Sequence, residues 1–381
     1  MPRVFKSPDY LLLGIITMLL VLGILTLANI SAFVSQKALG NTYYYLKHQL
    51  LYGVLIGLAL GLILYFLPLS FIRKWSPLAL FLNLVGLFLV FIPGVGVGAQ
   101  GATRWIDLGP FTFQPAEFLK LTFILYLATW LASRTEKISG MKESFNSPKK
   151  KEFSQTLFAF LFIVFLIGTM MILQPNISTM VIIFIIGAVM YFVAGMPTWH
   201  FLLMGAAGMG VVLLLILKGG YRMKRFIVFL NPEIDPMGMS YQLQQAKIAI
   251  GSGGLLGLGL GMSRQKFGFL PTPMSDSIFA IFAEETGFIG AFCLLLLFFF
   301  FAWKGFHLAK ESRDRFSRLT AFGITFWIIF QSFVNIGAMI GILPLTGVPL
   351  PFFSYGSSAL ISELMAMGIL LNISKYASKP K

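Results

Sequence analysis

Long apolar runs alternate with short polar segments along the whole chain. Windows of about 20 apolar residues predict ten membrane-spanning helices. The predicted spans are residues 10–31, 49–67, 77–95, 115–133, 156–173, 177–196, 200–217, 277–302, 319–341 and 354–374. No small-residue cleavage site follows the first run, so we interpret it as a retained span and not as a signal peptide. The pattern therefore predicts an all-α, polytopic membrane protein with both termini on one side.

One connection in this pattern is much longer than the others. Residues 218–276 separate the seventh and eighth spans, and long loops in compact proteins usually carry function. Within this loop, Leu243, Ala246, Lys247 and Ile250 recur at helical spacing, which predicts a short helix on the membrane surface. The "GSGGLLGLGLG" that follows has no strand before it, so it does not predict a nucleotide site. A flexible or closely packed re-entrant segment is the better interpretation of its glycines.

Composition and charge placement agree with a membrane protein. Hydrophobic residues make up 57% of the chain and charged residues 11%, whereas a soluble domain carries about a quarter charged residues. The net charge is +15, but 18 Lys and Arg lie in segments on the side of the termini and 3 in the short loops of the other side. The positive-inside rule makes both termini cytoplasmic and explains the basic excess without nucleic acid. We interpret residues 1–381 as one integral membrane domain.

Few ionisable side chains lie inside the predicted spans, and each is a candidate functional group. Glu117 and Lys120 share one helix face and can pair. Either this pair fixes helix packing, or Lys120 meets an anionic substrate. Glu284 and Glu285 lie about 12–14 Å deeper than Asp276 along one helix and project in other directions. That deeper pair is predicted to stabilise the bundle or to line an inner cavity.

Asp276 stands at the start of the eighth span, in "LPTPMSDSIF". Ser275, Asp276 and Ser277 are all good helix N-caps, so capping alone could explain the aspartate. A carboxylate at the outer membrane surface also suits a general base, and the two roles are compatible. His48, His200 and His307 fall in separate segments, so neither a metal cluster nor a histidine-based triad is predicted.

Several basic side chains lie in the predicted outer loops and form an outward-facing basic collar. Arg104, in "GATRWIDLGPF", would clamp a phosphate or pyrophosphate because a guanidinium binds such oxyanions with two parallel hydrogen bonds. The other members of this basic collar are Arg222, Lys224, Arg225, Arg264 and Lys266. Either the collar binds an anionic substrate, or it contacts anionic lipid headgroups.

Five ordered segments resemble the signatures of the SEDS family, the FtsW/RodA/SpoVE group of bacterial cell-wall proteins. They read "GATRWIDLGPFTFQPAEFLKL", "MILQPNIST", "FLNPEIDPMGMSYQLQQAKIAIGSGGLLGLGLGMSRQKFGFLP", "SDSIFAIFAEETGFIG" and "LPLTGVPLPFFSYGSSALISELMAMGILLNIS". The resemblance covers nearly all of the chain after residue 45. "GLGMSRQKFGFLP" and "GILLNIS" look more like the FtsW, cell-division branch than the RodA, elongation branch.

The resemblance implies ten spans and a peptidoglycan glycosyltransferase. Such an enzyme polymerises lipid II, a disaccharide-peptide on undecaprenyl pyrophosphate, into glycan strands outside the bacterial cytoplasmic membrane. Asp276 matches the essential aspartate of the family and would be the catalytic residue. The substrate-binding residues would be Arg104, Glu117, Lys120, Arg264, Lys266 and Ser354. The expected partners are a class B penicillin-binding transpeptidase and other divisome or elongasome membrane proteins, and a divalent cation, Mg²⁺ or Mn²⁺, is left open as a cofactor.

Three motifs depart from the family pattern. The usual PE-x-HTD turn reads "PTPMSD", so no second acid stands beside Asp276, which argues against a two-carboxylate mechanism there. The usual QPD-x-GT reads "QPNIST", with Asn176 and Ser178, and SYGGSS reads "SYGSSA", with Ser357.

Three alternatives stay open beside the division enzyme. A flippase for a lipid-linked precursor would also use buried acids and bases, although the spans show no inverted repeat of the transporter kind. The chain could also be a scaffold for a penicillin-binding protein, or an elongation polymerase of the RodA type.

Overall fold

The computed structural model confirms a predominantly helical membrane protein. It describes residues 7–99, 102–109, 111–140, 148–218, 223, 227–231, 234 and 238–377. The longer helices are α1 (Tyr10–Leu39), α2 (Tyr44–Phe66), α3 (Leu69–Leu89), α4 (Pro115–Ser139), α5 (Pro148–Leu173), α6 (Ile177–Val193), α7 (Thr198–Lys218), α8 (Met239–Ser252), α9 (Ile278–Glu311), α10 (Arg315–Ile340) and α11 (Ser357–Ser374). Of these, α2 contains a π-helical segment, Gln49–Leu55.

Each predicted span has a helix at its position. In the described part of the chain, eight helices are long and apolar enough to cross a membrane. They are α1, α2, α3, α4, α5, α9, α10 and α11. The shorter apolar helix α6 and the helix α7 occupy the two remaining predicted spans.

A small antiparallel sheet occupies the connection between α3 and α4, where the sequence predicted only a loop. Its strands are β1 (Gly96–Ala99), β2 (Ala102–Asp107) and β3 (Thr112–Phe113), in that order. The first strand is rich in glycine and carries few of the β-branched and aromatic residues that mark strands. The hydrogen bonds of its hairpin with β2, and not its side chains, therefore define it.

The centre of the bundle consists of α4, α10 and α11, which are mostly buried. Trp327 of α10 is one of the largest fully buried side chains. Helix α11 packs closely along α2 because glycines meet at the contact: a Cβ on Gly368 would lie 2.0 Å from the Gly61 carbonyl oxygen. Small residues of this kind let two membrane helices approach backbone to backbone.

The predicted helix of the long outer loop is present as α8, which packs on α9 and α10. Of the residues that recur at helical spacing, Leu243 and Ala246 are buried and Ile250 is half-buried, whereas Lys247 is exposed. Its location at a membrane surface stays a prediction. Three residues of the basic collar, Arg222, Lys224 and Arg225, lie outside the described residues.

The glycine-rich segment after α8 is closely packed, as one of the two interpretations predicted. It inserts at a break in α9, where Gly287 has φ 67° and ψ −168°. Backbone hydrogen bonds cross the break: Leu258 N donates to Glu284 O at 3.0 Å, and Phe288 N donates to Gly254 O at 2.9 Å. Such bonds matter in a membrane because lipid cannot satisfy backbone polar groups.

Candidate active site

Asp276 lies in a strained turn that leads into α9. Thr272 in this turn has φ 47°, which is uncommon for a residue other than glycine. The N-cap of α9 is Ser277, whose side chain makes no capping hydrogen bond. Its hydroxyl donates instead to Pro271 O at 2.9 Å. The alternative that Asp276 is merely a helix cap is therefore wrong, because its side chain has other partners.

The carboxylate of half-buried Asp276 is held through both of its oxygens. Oδ1 accepts a hydrogen bond from Ser275 Oγ at 2.8 Å, and Oδ2 accepts one from Gln242 Nε2 of α8 at 3.3 Å. A Cβ on the exposed Gly347 would lie 3.9 Å from Oδ2. An ionised carboxylate offers about four acceptor positions, so each oxygen keeps capacity for a substrate hydroxyl.

Asn335 of α10 fixes the backbone of the turn. Its Nδ2 donates to the carbonyl oxygen of Asp276 at 2.8 Å and to that of Val348 at 2.7 Å. Asn335 is itself buried, and a buried amide that bridges two carbonyls holds both segments in register. The start of α9 and the segment after α10 are thereby joined directly behind the carboxylate.

Ser354, a predicted substrate-binding residue, supports the same turn. Its hydroxyl donates to Ser275 O at 2.5 Å and accepts from Leu350 N at 2.8 Å. The neighbouring Tyr355 N donates to Met274 O at 2.7 Å. Ser354 therefore contacts the main chain next to Asp276, and its contact with substrate stays a prediction.

Glu117 and Lys120 form a buried ion pair. Lys120 Nζ lies 2.7 Å from Glu117 Oε2 and 2.8 Å from Gln331 Oε1, and the two charged side chains are 5% and 2% exposed. The ammonium also lies 5.1 Å from the centroid of the Trp327 ring. This geometry matches the structural alternative of the sequence analysis. Substrate contact by either residue stays a prediction.

Glu284 accepts hydrogen bonds from the segment that follows the glycine-rich loop. Its donors in that segment are the Ser263 hydroxyl, Arg264 N at 3.1 Å and Gln265 N at 3.4 Å. The side chain of Arg264, a predicted substrate-binding residue, is exposed on the same segment. The prediction that the deeper glutamates support the fold is therefore confirmed for Glu284.

Glu285 has the same role with a cation as partner. Lys266 Nζ lies 3.2 Å from Glu285 Oε1, 2.8 Å from Asn29 Oδ1 and 2.7 Å from Gly261 O. Asn29 of α1 donates in turn to Glu285. Lys266 is buried, and in this conformation all three donors of its ammonium face protein acceptors. Its predicted contact with substrate stays a prediction.

Arg104 of β2 holds the connection between α5 and α6. Its Nε donates to Gln174 O at 3.2 Å, and its terminal nitrogen donates to Pro175 O. In the same connection, Asn176 leaves Nδ2 buried without a hydrogen-bond partner within the described residues. Ser178 Oγ donates to Thr346 O at 2.6 Å, next to the glycine beside Asp276. A pyrophosphate contact of Arg104 stays a prediction.

Two residues near the carboxylate, Gln242 and Asn335, were missed by the sequence reasoning. Asn335 is a polar side chain inside the predicted span 319–341, and that placement was an available signal. Gln242 belongs to "MSYQLQQ", which carries three glutamines within four positions of the predicted surface helix. Neither signal identifies the hydrogen-bond partner of the side chain, since these partners lie far away in the sequence.

The described residues contain no group of three His, Cys, Asp or Glu side chains that could hold a metal ion. Near Asp276, the other side chains in contact are neutral hydroxyls and amides. Mg²⁺ and Mn²⁺ prefer several oxygen ligands, carboxylates among them. The divalent cation accordingly stays a prediction.

Comparison with known proteins places these features in a wider group. The chain matches the FtsW/RodA/SpoVE family, described as "Cell cycle protein", over residues 10–379. It is 38% identical over 373 residues to stage V sporulation protein E of Bacillus subtilis (strain 168). The aligned region covers 97% of this chain and 98% of that protein. It is 36% identical over 379 residues to the probable peptidoglycan glycosyltransferase FtsW of Thioalkalivibrio sp. (strain K90mix), with 98% and 91% covered.

Solved structures show the same fold. A chain from a study of polymerization and crosslinking by a peptidoglycan synthase complex superposes with a TM-score of 0.74 at 26% identity, over 97% of this chain and 98% of that one. The rod shape determining protein RodA of Thermus thermophilus superposes with a TM-score of 0.70 at 25% identity, over 100% of both chains.

Proposed function

The chain belongs to the FtsW/RodA/SpoVE family of cell cycle proteins, and from that membership we propose that it is a peptidoglycan glycosyltransferase. Its substrate is lipid II, which it polymerises into glycan strands at the outer face of the bacterial cytoplasmic membrane. Curated relatives with the FtsW name support a role in septum synthesis at cell division. A RodA-like role in elongation is the nearest alternative.

The proposed reaction is an inverting displacement. Asp276 takes the proton of the acceptor sugar's 4-hydroxyl, and the resulting oxygen attacks the anomeric carbon of the donor. The bond from that carbon to the lipid pyrophosphate breaks, and the pyrophosphate leaves with the electron pair. The observation that carries this proposal is the Asp276 carboxylate, which is half-exposed and hydrogen-bonded once at each oxygen.

The leaving pyrophosphate needs positive charge, and such stabilisation is usually a large part of catalysis. Arg264 has an exposed side chain and half-buried Arg104 lies on the sheet, so these two are the first candidates. Lys120 and Lys266 are bound inside the protein and would have to exchange partners. A divalent cation, when bound, would supply further neutralisation of the pyrophosphate.

The proposal includes a topology and partners. Both termini are cytoplasmic and the site around Asp276 is extracytoplasmic, which the distribution of Lys and Arg among the short loops supports. A class B penicillin-binding transpeptidase and other membrane proteins of the divisome are the proposed partners. The structural likeness to a chain of a peptidoglycan synthase complex supports a partner of this kind.

Replacement of Asp276 by alanine tests the base. The full-length variant should insert and fold normally but polymerise purified lipid II about 10²–10⁴-fold more slowly, the usual contribution of a general base. Asp107→Ala, which removes an exposed carboxylate from β2, is the matched control and should polymerise at the parental rate. Product ladders on a gel provide the measurement. A parental rate in Asp276→Ala would show that the base assignment is wrong.

Transport of a lipid-linked precursor is the competing class of function. Its main support was the set of acids inside the spans, yet these acids have protein partners. Glu117, Glu284 and Glu285 are bound as described above, and Glu363 accepts from Phe352 N at 2.9 Å. Translocation across liposomes without ladder formation would nevertheless favour transport over polymerisation.

A further inference from the structure

We propose that Gln242 is a positioning residue for Asp276 and holds its carboxylate in the orientation from which it takes the acceptor's proton. The proposal rests on the function proposed above. Gln242 lies in the first turn of α8, and its Nε2 is 3.3 Å from Asp276 Oδ2. The same nitrogen is 3.0 Å from Ser277 Oγ and 3.3 Å from Thr272 Oγ1.

The direction of these hydrogen bonds is fixed by chemistry. An ionised carboxylate can only accept, so the amide nitrogen of Gln242, and not its oxygen, must face Asp276. Ser277 independently requires the same orientation of the amide, because its hydroxyl donates its one proton to Pro271 O at 2.9 Å. The Ser277 oxygen therefore accepts from Gln242. Asp276 and Ser277 therefore both require that the amide nitrogen of Gln242, and not its oxygen, faces the turn.

Gln242 restricts rotation of the Asp276 carboxylate. Rotation of an aspartate carboxylate about its last bond is soft, with a broad preference. Ser275 Oγ holds Oδ1 at 2.8 Å, and Gln242 Nε2 holds Oδ2. Two donors on opposite oxygens define the carboxylate plane, whereas one alone would not. The remaining lone pairs then point in a fixed direction.

The donor comes from a well-anchored element. Beside Gln242 on α8, Leu243, Ala246 and Ala249 are buried against the bundle. Helices position functional groups more accurately than loops do. In the described part of the chain, the Gln242 amide bonds only side-chain atoms of the turn, whereas Asn335 and Ser354 bond the main chain of the turn. Loss of the Gln242 amide should therefore leave the main chain of the turn in place and free the Asp276 carboxylate, together with two hydroxyls of the turn.

The test uses kinetics on the full-length chain, reconstituted with its class B transpeptidase and supplied with purified lipid II. Gln242→Met keeps the length of the side chain and removes the donor. A displacement of about 1 Å at a catalytic group can lower a rate by about 10²-fold, so kcat should fall by about that factor. KM should stay within about twofold, because the change acts on chemistry and not on binding. The melting temperature should not change.

Two further variants complete the test. Gln242→Glu keeps the shape but places an acceptor against the carboxylate, so it should lose at least as much kcat as Gln242→Met. Gln245→Met makes the same chemical change one turn along α8. In the part of the chain that the structure describes, Gln245 makes none of these hydrogen bonds to the turn, so its kcat should be parental.

The outcomes separate this inference from the proposed function. A parental kcat in Gln242→Met, together with an inactive Asp276→Ala, overturns the inference and leaves the base in place. Full activity in Asp276→Ala overturns the base and the inference with it. A lowered melting temperature with equal losses in the Met variants of Gln242 and Gln245 would mean that α8 packing is responsible, which also overturns the inference.

Discussion

Replacing Lys120 by methionine should damage the stability of the bundle directly. Methionine keeps the length of the side chain and removes its charge. The ammonium of Lys120 is 2.7 Å from Glu117 and 2.8 Å from Gln331, and the ion pair is almost completely buried. After the substitution, the Glu117 carboxylate would remain in the interior without its cation.

The size of the effect follows from that geometry. Removal of one partner of a buried ion pair destabilises a protein by about 3–5 kcal/mol because the remaining charge is uncompensated. Gln331 adds no further loss of stability. Its Oε1 would keep a hydrogen-bond partner, because it also accepts from Trp327 Nε1 at 2.8 Å. Replacing both charges with apolar side chains is often neutral. The double variant Glu117→Leu/Lys120→Met should therefore recover most of the stability.

Thermal unfolding of the purified chain in detergent, followed by tryptophan fluorescence, measures this effect. A shift of about 2 °C per kcal/mol corresponds to a melting temperature lower by about 6–10 °C for Lys120→Met. Lys310→Met removes an exposed charge near the end of α9 and should leave the melting temperature at the parental value. If Lys120→Met melts like the parent but no longer polymerises lipid II, Lys120 contacts substrate and the ion-pair reasoning is refuted.

Two further predictions concern stability. Gly257→Ala places a methyl group 2.2 Å from the Glu285 carbonyl oxygen at φ 82°, so we expect far less folded protein in size-exclusion chromatography than for Gly251→Ala, which meets no atom within 4 Å. Burial opposes ionisation of Asp9, but Lys304 at 2.8 Å and the first-turn amides of α1 outweigh burial and lower its pKa below the ordinary 3.8. The stabilisation is therefore present above pH 3.8 and is lost as the pH falls through the lowered pKa. Parent and Asp9→Asn should differ slightly in melting temperature at neutral pH and converge only below that range; a gap that persists there would contradict the assignment.

The positions of the membrane helices could be predicted because hydropathy acts locally. Their ends could not, because a helix continues into the aqueous layer until a cap stops it. Helix α1 extends beyond the predicted residue 31 to Leu39 and ends at Gly40, which has φ 67°. The sheet between α3 and α4 was missed for a related reason: its pairing depends on hydrogen bonds between segments and not on side-chain pattern.

The part of the site that lies along one helix could be predicted from the sequence. The spacing of Asp276, Glu284 and Glu285 along α9 correctly assigned the deeper acids to the scaffold, because helical geometry fixes their relative directions. The partners of these acids were not predictable. Gln242 is 34 positions from Asp276, and only the packing of α8 on the bundle brings the two together.

The long outer loop is therefore part of the frame of the proposed site at two places. Near its middle, α8 brings the Gln242 amide to Asp276. Further on, the segment after the glycines is attached to Glu284 and Glu285, and it continues directly into the turn that carries Asp276. A displacement of α8 would remove a donor from the carboxylate, whereas loosening of the later segment would move the turn itself. The first change should lower kcat in a stable protein, and the second should lower stability as well.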